Sequence, residues 1–305
     1  MAVIRTISFN EELHKYTDED KKVYTSVTTV IGKYHDQFNE DEWAYKKSID
    51  QSPYNPYRGM SVAEIKKLWK DKREFAGDRG NKTHKVLEDS INEANGNANF
   101  EFDKDKVRIG IGKGLVKITK TDLYILANTP LAKKYPKIYA FLRKYIEEGW
   151  TLYAEKRIYW FEYLIAGTID CLLVKGKFFM IVDWKTNNKK LEFRSGYYKK
   201  VQGIVTTQWV DKLEWFYPPL QKIPFCKGHI YTLQLSLYAH LMELWGYKCV
   251  GLTLFHILDD VPQEPINILY WQQHCINLCT HFSSTSNNDN KQKTSINQGT
   301  LFGIS

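Results

Sequence analysis

The spacing of apolar side chains along the chain predicts helices followed by three strands, a further helix and a final strand. Apolar positions three or four residues apart predict helices, and short apolar or β-branched runs bounded by turn residues predict strands. The predicted elements are helices over residues 61–95 and 131–148, strands over 151–160, 164–174 and 177–186, a helix over 231–246 and a strand over 251–258. The GDRG segment at residues 77–80 is a candidate break in the first helix.

The remaining segments have weaker patterns. Residues 3–31 predict short strands and a turn, and residues 187–229 predict a long, aromatic and mostly irregular segment. A short Lys-Gly-Lys turn at residues 175–177 predicts a hairpin between the second and third strands of the predicted three. This order of helices and strands predicts an α/β fold with a central mixed β-sheet flanked by helices.

We expect a single domain over residues 1–282, with its core at about 61–260 and N-terminal strands and a helix within 1–60. Residues 283–297 are almost free of apolar side chains. Segments of this composition cannot bury enough apolar surface to fold, so residues 283–305 are predicted to form a disordered tail.

The composition is that of an ordinary globular protein with a basic surface. Of the 305 residues, 43% are hydrophobic and 26% are charged, which excludes collagen-like and intrinsically disordered chains. The formal net charge of +8 favours a polyanionic partner such as nucleic acid. The N-terminus lacks the apolar stretch of a signal peptide and no run reaches the length of a membrane span, so we expect a cytoplasmic protein without membrane contact.

Five cysteines are scattered along the sequence. An odd number of widely spaced cysteines predicts reduced thiols rather than a disulfide framework. Cys275 and Cys279 fall on one helical face, and we interpret them as core residues because a pair of thiols is more often part of an apolar core than of a metal site.

Basic residues recur over 66–75, 104–120 and 193–203, and in the first and last of these ranges they are interleaved with aromatic residues. Lys and Arg neutralise phosphates while aromatic rings stack on exposed bases, so this combination predicts contact with single-stranded nucleic acid. The alternative is that the aromatic residues after the third strand simply pack against the sheet; these are Trp209, Trp215, Phe216 and Tyr217.

Two aspartates interrupt the apolar strands on either side of the short turn. Antiparallel pairing of these strands would bring the carboxylates of Asp170 and Asp183 close together. Neighbouring negative charges repel, and hard oxygen ligands of this kind bind Mg²⁺ or Mn²⁺. Lys185 lies on the same strand face as Asp183, where its ammonium suits a water or a phosphoryl oxygen. The alternative is a solvated strand end and a turn residue.

Two companions strengthen the metal-site interpretation. His84, on the first predicted helix, carries an imidazole that can complete a metal site. Gln234 and Tyr238 lie four residues apart on one face of an apolar helix, which suggests contact with a polar ligand. The alternatives are an ordinary helical histidine, a satisfied core glutamine and a packed tyrosine.

Four motifs occur in the order Gly80-x-x-x-His84, Gly167-x-x-Asp170, Asp183-x-Lys185 and Gln234-x-x-x-Tyr238. In this order and on these predicted elements they resemble the RecB-like branch of the PD-(D/E)XK nuclease superfamily. The resemblance spans roughly residues 20–260 and looks greatest to phage-encoded exonucleases related to the mitochondrial genome maintenance exonuclease. It implies a restriction-endonuclease-like core with helical and loop insertions.

The resemblance also implies a role for each matching residue. The implied metal ligands are His84, Asp170, Asp183 and the backbone carbonyl of Trp184, and the implied catalytic residues are Lys185, Asp183 and Asp170. The implied contacts that steady the site or bind DNA come from Gln234, Tyr238, Thr186 and Arg79. Glu155, on the preceding strand, is either an additional metal ligand or a plain strand-end carboxylate.

The implied function is that of a Mg²⁺- or Mn²⁺-dependent deoxyribonuclease in the cytoplasm of a bacterium or a phage-infected host. We expect an exonuclease that acts on DNA ends or single-stranded flaps in replication, recombination or repair. The alternatives are a structure-specific endonuclease and a catalytically silent nucleic-acid-binding module. Several RecB-like nucleases hold an iron–sulfur cluster with one early and three late cysteines. Because no cysteine precedes Cys171, we predict no iron–sulfur cluster.

The last residues carry one more motif. Gln298, Leu301 and Phe302 resemble the Q-x-x-L-F peptide by which replication proteins bind bacterial sliding clamps. A flexible tether with an apolar anchor can bind a groove on a partner. The alternative is that the Leu-Phe pair docks on the surface of this chain.

Overall fold

The computed structural model describes residues 6–10, 13, 15–96 and 121–299, with side chains described up to residue 285. In these residues the chain forms an α/β fold, in which helices flank a large sheet of parallel and antiparallel strands. The predicted class, a central mixed sheet with flanking helices, is confirmed. The predicted basic segment 104–120 lies outside the described residues.

The strands are β1 (Ser8–Asn10), β2 (Lys15–Thr17), β3 (Val23–Ser26), β4 (Thr151–Trp160), β5 (Ile165–Lys175), β6 (Phe178–Lys185), β7 (Gly196–Val201), β8 (Ile204–Asp211), β9 (Lys248–Leu258), β10 (Val261–Pro262) and β11 (Ile266–Asn267). The helices are α1 (Val27–Gly32), α2 (Glu40–Ile49), α3 (Val62–Ala94), α4 (Leu123–Asn128), α5 (Pro130–Lys134), α6 (Pro136–Glu147), α7 (Lys227–Leu244) and α8 (Gln272–Gly299).

The sheet is organised around β5. Strand β4 pairs antiparallel with one edge of β5, and β6 pairs antiparallel with the other. Strand β9 then pairs parallel with β6, while the N-terminal strands join the sheet through β3, which runs parallel to β5. The four strands predicted after residue 150 are confirmed, and β9 begins three residues before its predicted start at 251.

Helices cover both faces of the sheet. On one face, Leu87 and Ile91 of α3 join an apolar cluster with Leu173 and Val182 of the sheet. On the other face lies α7, in which every residue from 232 to 242 is buried. Because both faces are covered, the central strands are apolar on both sides and appear in the sequence as continuous hydrophobic runs.

The helix α3 continues through the GDRG segment, so the predicted break at residues 77–80 is wrong. Its start has a capping box, in which the Ser61 hydroxyl accepts a hydrogen bond from the Glu64 backbone N–H and the Glu64 carboxylate accepts one from the Ser61 N–H. A glycine inside a helix costs only about 1 kcal/mol. In the same segment the Arg79 guanidinium donates to the Thr186 carbonyl at 2.5 Å, a tertiary contact that holds the helix in place.

Two further predictions need correction. The helix predicted over 131–148 is divided into α5 and α6, because Pro136 lacks the backbone N–H needed to continue α5 and instead begins α6. The segment 187–229, predicted as mostly irregular, contains the antiparallel hairpin β7–β8. Among its aromatic residues Phe216 packs in the core, whereas Trp215 and Tyr217 are exposed.

The backbone of α8 stays helical to Gly299, which differs from the disordered tail predicted from residue 283. The polar segment 283–297 contains neither glycine nor proline, so nothing in it terminates the helix. The predicted clamp-binding peptide at 298–302 lies outside the described residues from residue 300 onward.

Near its start, α8 packs against the rest of the molecule. Cys275 and Cys279 are both buried in the apolar core, which confirms their interpretation as core residues. In the part of the chain that the structure describes, no helix combines the length and apolarity needed to cross a membrane.

Candidate metal centre

A split between two strands forms the candidate site. One edge of β5 is shared: β3 pairs with its first two residues, whereas β6 pairs only with the residues from Cys171 onward. Residues 167–170 therefore lie between the two strands, with no described partner strand on this edge. At the split the Asp170 side chain replaces a strand partner, because its Oδ2 accepts a hydrogen bond from the Trp184 backbone N–H at 2.9 Å.

An imidazole and two carboxylates meet at the split. His84 projects from α3, and its Nδ1 lies 3.7 Å from Glu155 Oε1 and 3.7 Å from Asp170 Oδ2. Each of the three side chains offers one ligand atom, and these atoms lie within 4.8 Å of one another. Imidazole nitrogen and carboxylate oxygen are suitable donors for Mn²⁺ and related divalent ions. The residues present therefore fit the metal predicted from the sequence.

The backbone carbonyl of Trp184 contacts the other ring nitrogen of His84. It lies 3.2 Å from Nε2 of His84, the ring nitrogen opposite the one that faces Glu155 and Asp170. A metal-binding histidine is usually oriented by an acceptor at its other nitrogen. In this arrangement the Trp184 carbonyl orients the imidazole, and its role as a metal ligand stays a prediction.

Glu155 reaches the site through a strained backbone. Its φ of +49° lies in the left-handed region, which costs a residue other than glycine about 1–2 kcal/mol. Glu155 lies in the middle of β4, between two residues that keep regular pairing with β5, and it faces Asp170 across the strands. The alternative of a strand-end carboxylate is therefore wrong. Strain of this kind is concentrated at functional sites.

Asp183 and Lys185 form a buried ion pair beside the cluster. The Asp183 side chain is only 1% exposed, and the Lys185 Nζ lies 2.8 Å from its Oδ2. The other carboxylate oxygen, Oδ1, has no hydrogen-bonding partner among the described residues. A buried carboxylate oxygen without a donor is costly, and a bound cation is one means of satisfying it. Coordination by Asp183 stays a prediction.

The electrostatics of the site favour an added positive charge. Burial raises the pKa of Asp183 to about 6, with a further contribution from the negative charge of Asp170. Burial also raises the pKa of Asp170, although His84 and Lys185 oppose this effect. For His84, burial disfavours the charged form, but Asp170 and Glu155 outweigh burial and raise its pKa to about 9. Without a metal, the site therefore holds a protonated imidazole between carboxylates.

Gln234 and Tyr238 lie beneath these carboxylates, on α7. Both side chains are buried, and the Gln234 amide donates to the Tyr238 hydroxyl at 3.0 Å. The Tyr238 ring covers Gly167 so closely that a β-carbon on Gly167 would overlap it. The structure brings both residues to the site, where they support the floor of the split. Their burial leaves little surface for direct contact with DNA.

Arg79 and Thr186 meet where β6 ends. Besides the Thr186 carbonyl, the Arg79 guanidinium donates to the side chain of Asn188. Gly80 lies against the Thr186 hydroxyl, which a β-carbon on Gly80 would approach to 3.1 Å. Arg79 thus links α3 to the segment after β6. Contact of Arg79 and Thr186 with DNA stays a prediction.

Three polar residues near Lys185 were not predicted from the sequence to lie at the site: Asn187, Tyr231 and His256. Tyr231 lies three residues before Gln234, on the same face of α7, and this spacing was the available signal. Asn187 and His256 carried no such signal, because their proximity depends on the pairing of β6 with β9.

The fold and the site together define an α/β protein with a candidate divalent-metal centre at a split in its central sheet. No protein-family model matches the chain, and neither a curated protein nor a solved structure matches it significantly.

Proposed function

We propose that this protein is a metal-dependent DNA nuclease of the RecB-like PD-(D/E)XK type. The observation that carries the proposal is the meeting of His84, Glu155 and Asp170 beside the buried pair Asp183 and Lys185. A metal-binding cluster with an adjacent ammonium is suited to hydrolysis of phosphodiesters, in which negative charge increases in the transition state. The order of α3, β4, β5, β6, α7 and β9 supports the restriction-endonuclease-like core implied by the four motifs.

In the proposed reaction a water oxygen bonds to phosphorus, the P–O bond to the leaving nucleotide breaks, and the leaving oxygen takes up a proton. A bound Mg²⁺ or Mn²⁺ ion would supply Lewis-acid chemistry that favours ionisation of the attacking water and polarisation of the phosphoryl group. His84, Glu155 and Asp170 would hold this ion. Lys185 contributes a positive charge to the phosphoryl oxygens in the transition state, and Asp183 keeps the ammonium in place at 2.8 Å.

The hairpin β7–β8 supports an exonuclease acting on a free end. Its base is anchored near the site, where the Glu192 carbonyl accepts a hydrogen bond from the Gly228 N–H at 3.0 Å. Its far turn lies against Tyr54, within 3.3 Å of a β-carbon placed on Gly203. Between these ends no residue of either strand is buried. A hairpin attached at both ends and exposed between them would enclose a single DNA strand that enters by its terminus.

The basic and aromatic character of this region favours a substrate with a single-stranded part. Just before the hairpin, Arg194 places its guanidinium 3.9 Å from the centroid of the Trp209 ring on β8, and this ring also contacts Tyr198 of β7 edge to face. Such side chains bind phosphates and exposed bases without sequence preference. The net charge of +8 adds a general attraction for nucleic acid.

The experiment that tests the proposal compares wild type with Lys185→Ala and Asp183→Asn on end-labelled single- and double-stranded DNA. Assays contain Mg²⁺, Mn²⁺ or EDTA, and Lys222→Ala is a matched control because Lys222 is an exposed lysine outside the four motifs. We expect Lys185→Ala to lower the rate about 10²–10³-fold, the usual loss for one group that stabilises transition-state charge. Cleavage that survives EDTA, or equal rates of wild type and Lys185→Ala, would contradict the mechanism.

The same assay separates the two nuclease classes. An exonuclease degrades linear single strands from an end and leaves circular single strands intact, whereas a structure-specific endonuclease cuts circles that contain a branch or hairpin. A catalytically silent module would bind labelled DNA and leave both substrates uncut.

We propose that this nuclease acts in phage or bacterial DNA replication, recombination or repair in the cytoplasm. A sliding clamp is the proposed partner of Gln298, Leu301 and Phe302. We expect deletion of residues 297–305 to abolish capture by an immobilised clamp and to leave nuclease activity unchanged. Capture that persists after the deletion would refute the clamp interaction alone.

A further inference from the structure

Lys185 is enclosed by residues outside the four motifs and outside the metal cluster. Its ammonium lies 4.8 Å from the centroid of the Tyr231 ring, which projects from α7. The Tyr231 hydroxyl accepts a hydrogen bond from the Asn187 amide at 2.7 Å and donates one to Asn187 Oδ1 at 3.1 Å. The Asn187 backbone carbonyl lies 2.9 Å from Nε2 of His256.

We propose that Tyr231 is a positioning residue for the proposed nuclease reaction, which holds the Lys185 ammonium over the Asp183 carboxylate. This inference rests on the proposed function and adds to it a residue that the motifs do not contain. Tyr231 does not touch the reacting atoms in the proposed mechanism; it acts through Lys185.

The geometry explains why Lys185 needs a second contact. Lysine has a flexible four-carbon stem and a point charge that no single partner orients. Asp183 attracts the ammonium from one side, and the electron-rich face of the Tyr231 ring attracts it from another. With both contacts, the ammonium is confined between the carboxylate and the ring instead of swinging towards other carboxylates of the cluster.

The hydroxyl of Tyr231 fixes the ring itself. Asn187 lies two residues after Lys185, the last residue of β6, and His256 lies opposite Lys185 in the parallel pairing of β6 with β9. The chain of contacts from His256 through Asn187 to Tyr231 therefore ties α7, β9 and the end of β6 together around one ammonium. Removal of the hydroxyl alone should loosen the ring, whereas removal of the ring should release the ammonium.

Kinetics test the inference with two variants of graded severity. For Tyr231→Leu we expect kcat to fall about 30-fold, the factor that corresponds to a partly desolvated cation–π contact, with KM for DNA unchanged within about twofold. For Tyr231→Phe, which keeps the ring, we expect a loss of less than about fivefold. Tyr124→Leu, at an exposed position on α4, is the matched control and should keep wild-type kcat. Equal kcat for Tyr231→Leu and wild type, or a change in KM alone, would overturn the inference.

A second measurement keeps the inference testable if Tyr231→Leu is unstable or if the wild type cleaves no DNA. In protein labelled with ¹³C at the lysine ε-carbon, the ring places the Lys185 ε-protons upfield, and Lys185→Arg identifies their signal. We expect this signal to stay upfield in Tyr231→Phe and to reach the ordinary lysine position in Tyr231→Leu. A wild-type signal at the ordinary position refutes the contact whatever the activity. An upfield signal in a protein without metal-dependent cleavage refutes the proposed function while the contact stands.

Discussion

The free energy of unfolding of the metal-free protein should fall as the pH rises, and Asp183 and His84 at the site contribute to this fall. The pKa of Asp183 is raised from 3.8 to about 6, and that of His84 from 6.5 to about 9. Both groups bind a proton more tightly in the folded protein than in the unfolded chain. The stability that the Asp183 proton contributes is complete below pH 3.8 and is lost as the pH rises through about 6. The corresponding loss for His84 begins above pH 6.5 and ends near pH 9.

The size of each effect follows from the displacement of the pKa. At about 1.4 kcal/mol per pH unit, each of the two groups accounts for about 3 kcal/mol of lost stability. That amount is a large part of the usual 5–15 kcal/mol net stability of a domain, so it is measurable. A divalent metal should reverse the upper part of the trend, because its binding requires a neutral imidazole and ionised carboxylates and therefore grows stronger with pH.

The assay is urea denaturation in EDTA at several pH values between 4 and 9.5, repeated with saturating Mn²⁺. We expect Asp183→Asn to flatten the decline between pH 4 and 6, and His84→Gln to flatten the decline between pH 6.5 and 9. Asp71→Asn is the control, since Asp71 is exposed on α3. The same pH slope in wild type, Asp183→Asn and His84→Gln would refute the assignment of the trend to these two groups.

Two further predictions concern Gly167, which Tyr238 covers, and Glu155, one of the three candidate metal ligands. Gly167→Ala should lower the free energy of unfolding by about 1–3 kcal/mol, because its methyl group would overlap the Tyr238 ring. Gly77→Ala, in open space on α3, should be neutral or slightly stabilising. Equal effects of the two substitutions on thermal unfolding would contradict this account. Glu155→Gln should weaken Mn²⁺ binding at least about tenfold, as measured by titration calorimetry. Glu162→Gln, at an exposed loop position, should leave the affinity unchanged. Unchanged Mn²⁺ affinity of Glu155→Gln would show that Glu155 is not a metal ligand.

Much of the fold could be predicted because its central strands are covered on both faces. Continuous apolar runs then mark β5 and β6, and the charged residues that interrupt them are Asp170 and Asp183. The hairpin β7–β8 escaped prediction for the opposite reason. Neither of its faces is buried, so its sequence has no alternation of apolar and polar residues to signal a strand.

The candidate site could be predicted in part. The order of the motifs grouped His84 with Asp170, and the structure places their side chains 3.7 Å apart. Other features depend on three-dimensional detail that spacing does not encode. The strained backbone that turns Glu155 towards His84 is one, and the orientation of His84 by the Trp184 carbonyl is another.

The split in β5 draws its residues from distant parts of the sequence, and this has a consequence during translation. His84 and Asp170 leave the ribosome well before Gln234, and the partner strand of β6, β9, ends only at Leu258. A nascent chain that has not yet produced α7 and β9 lacks the floor of the site and the strand that holds Asp183 and Lys185. Contacts of such long sequence separation form late in folding. Unfinished or prematurely terminated chains should therefore lack the proposed nuclease activity, which only the fully synthesised domain would acquire.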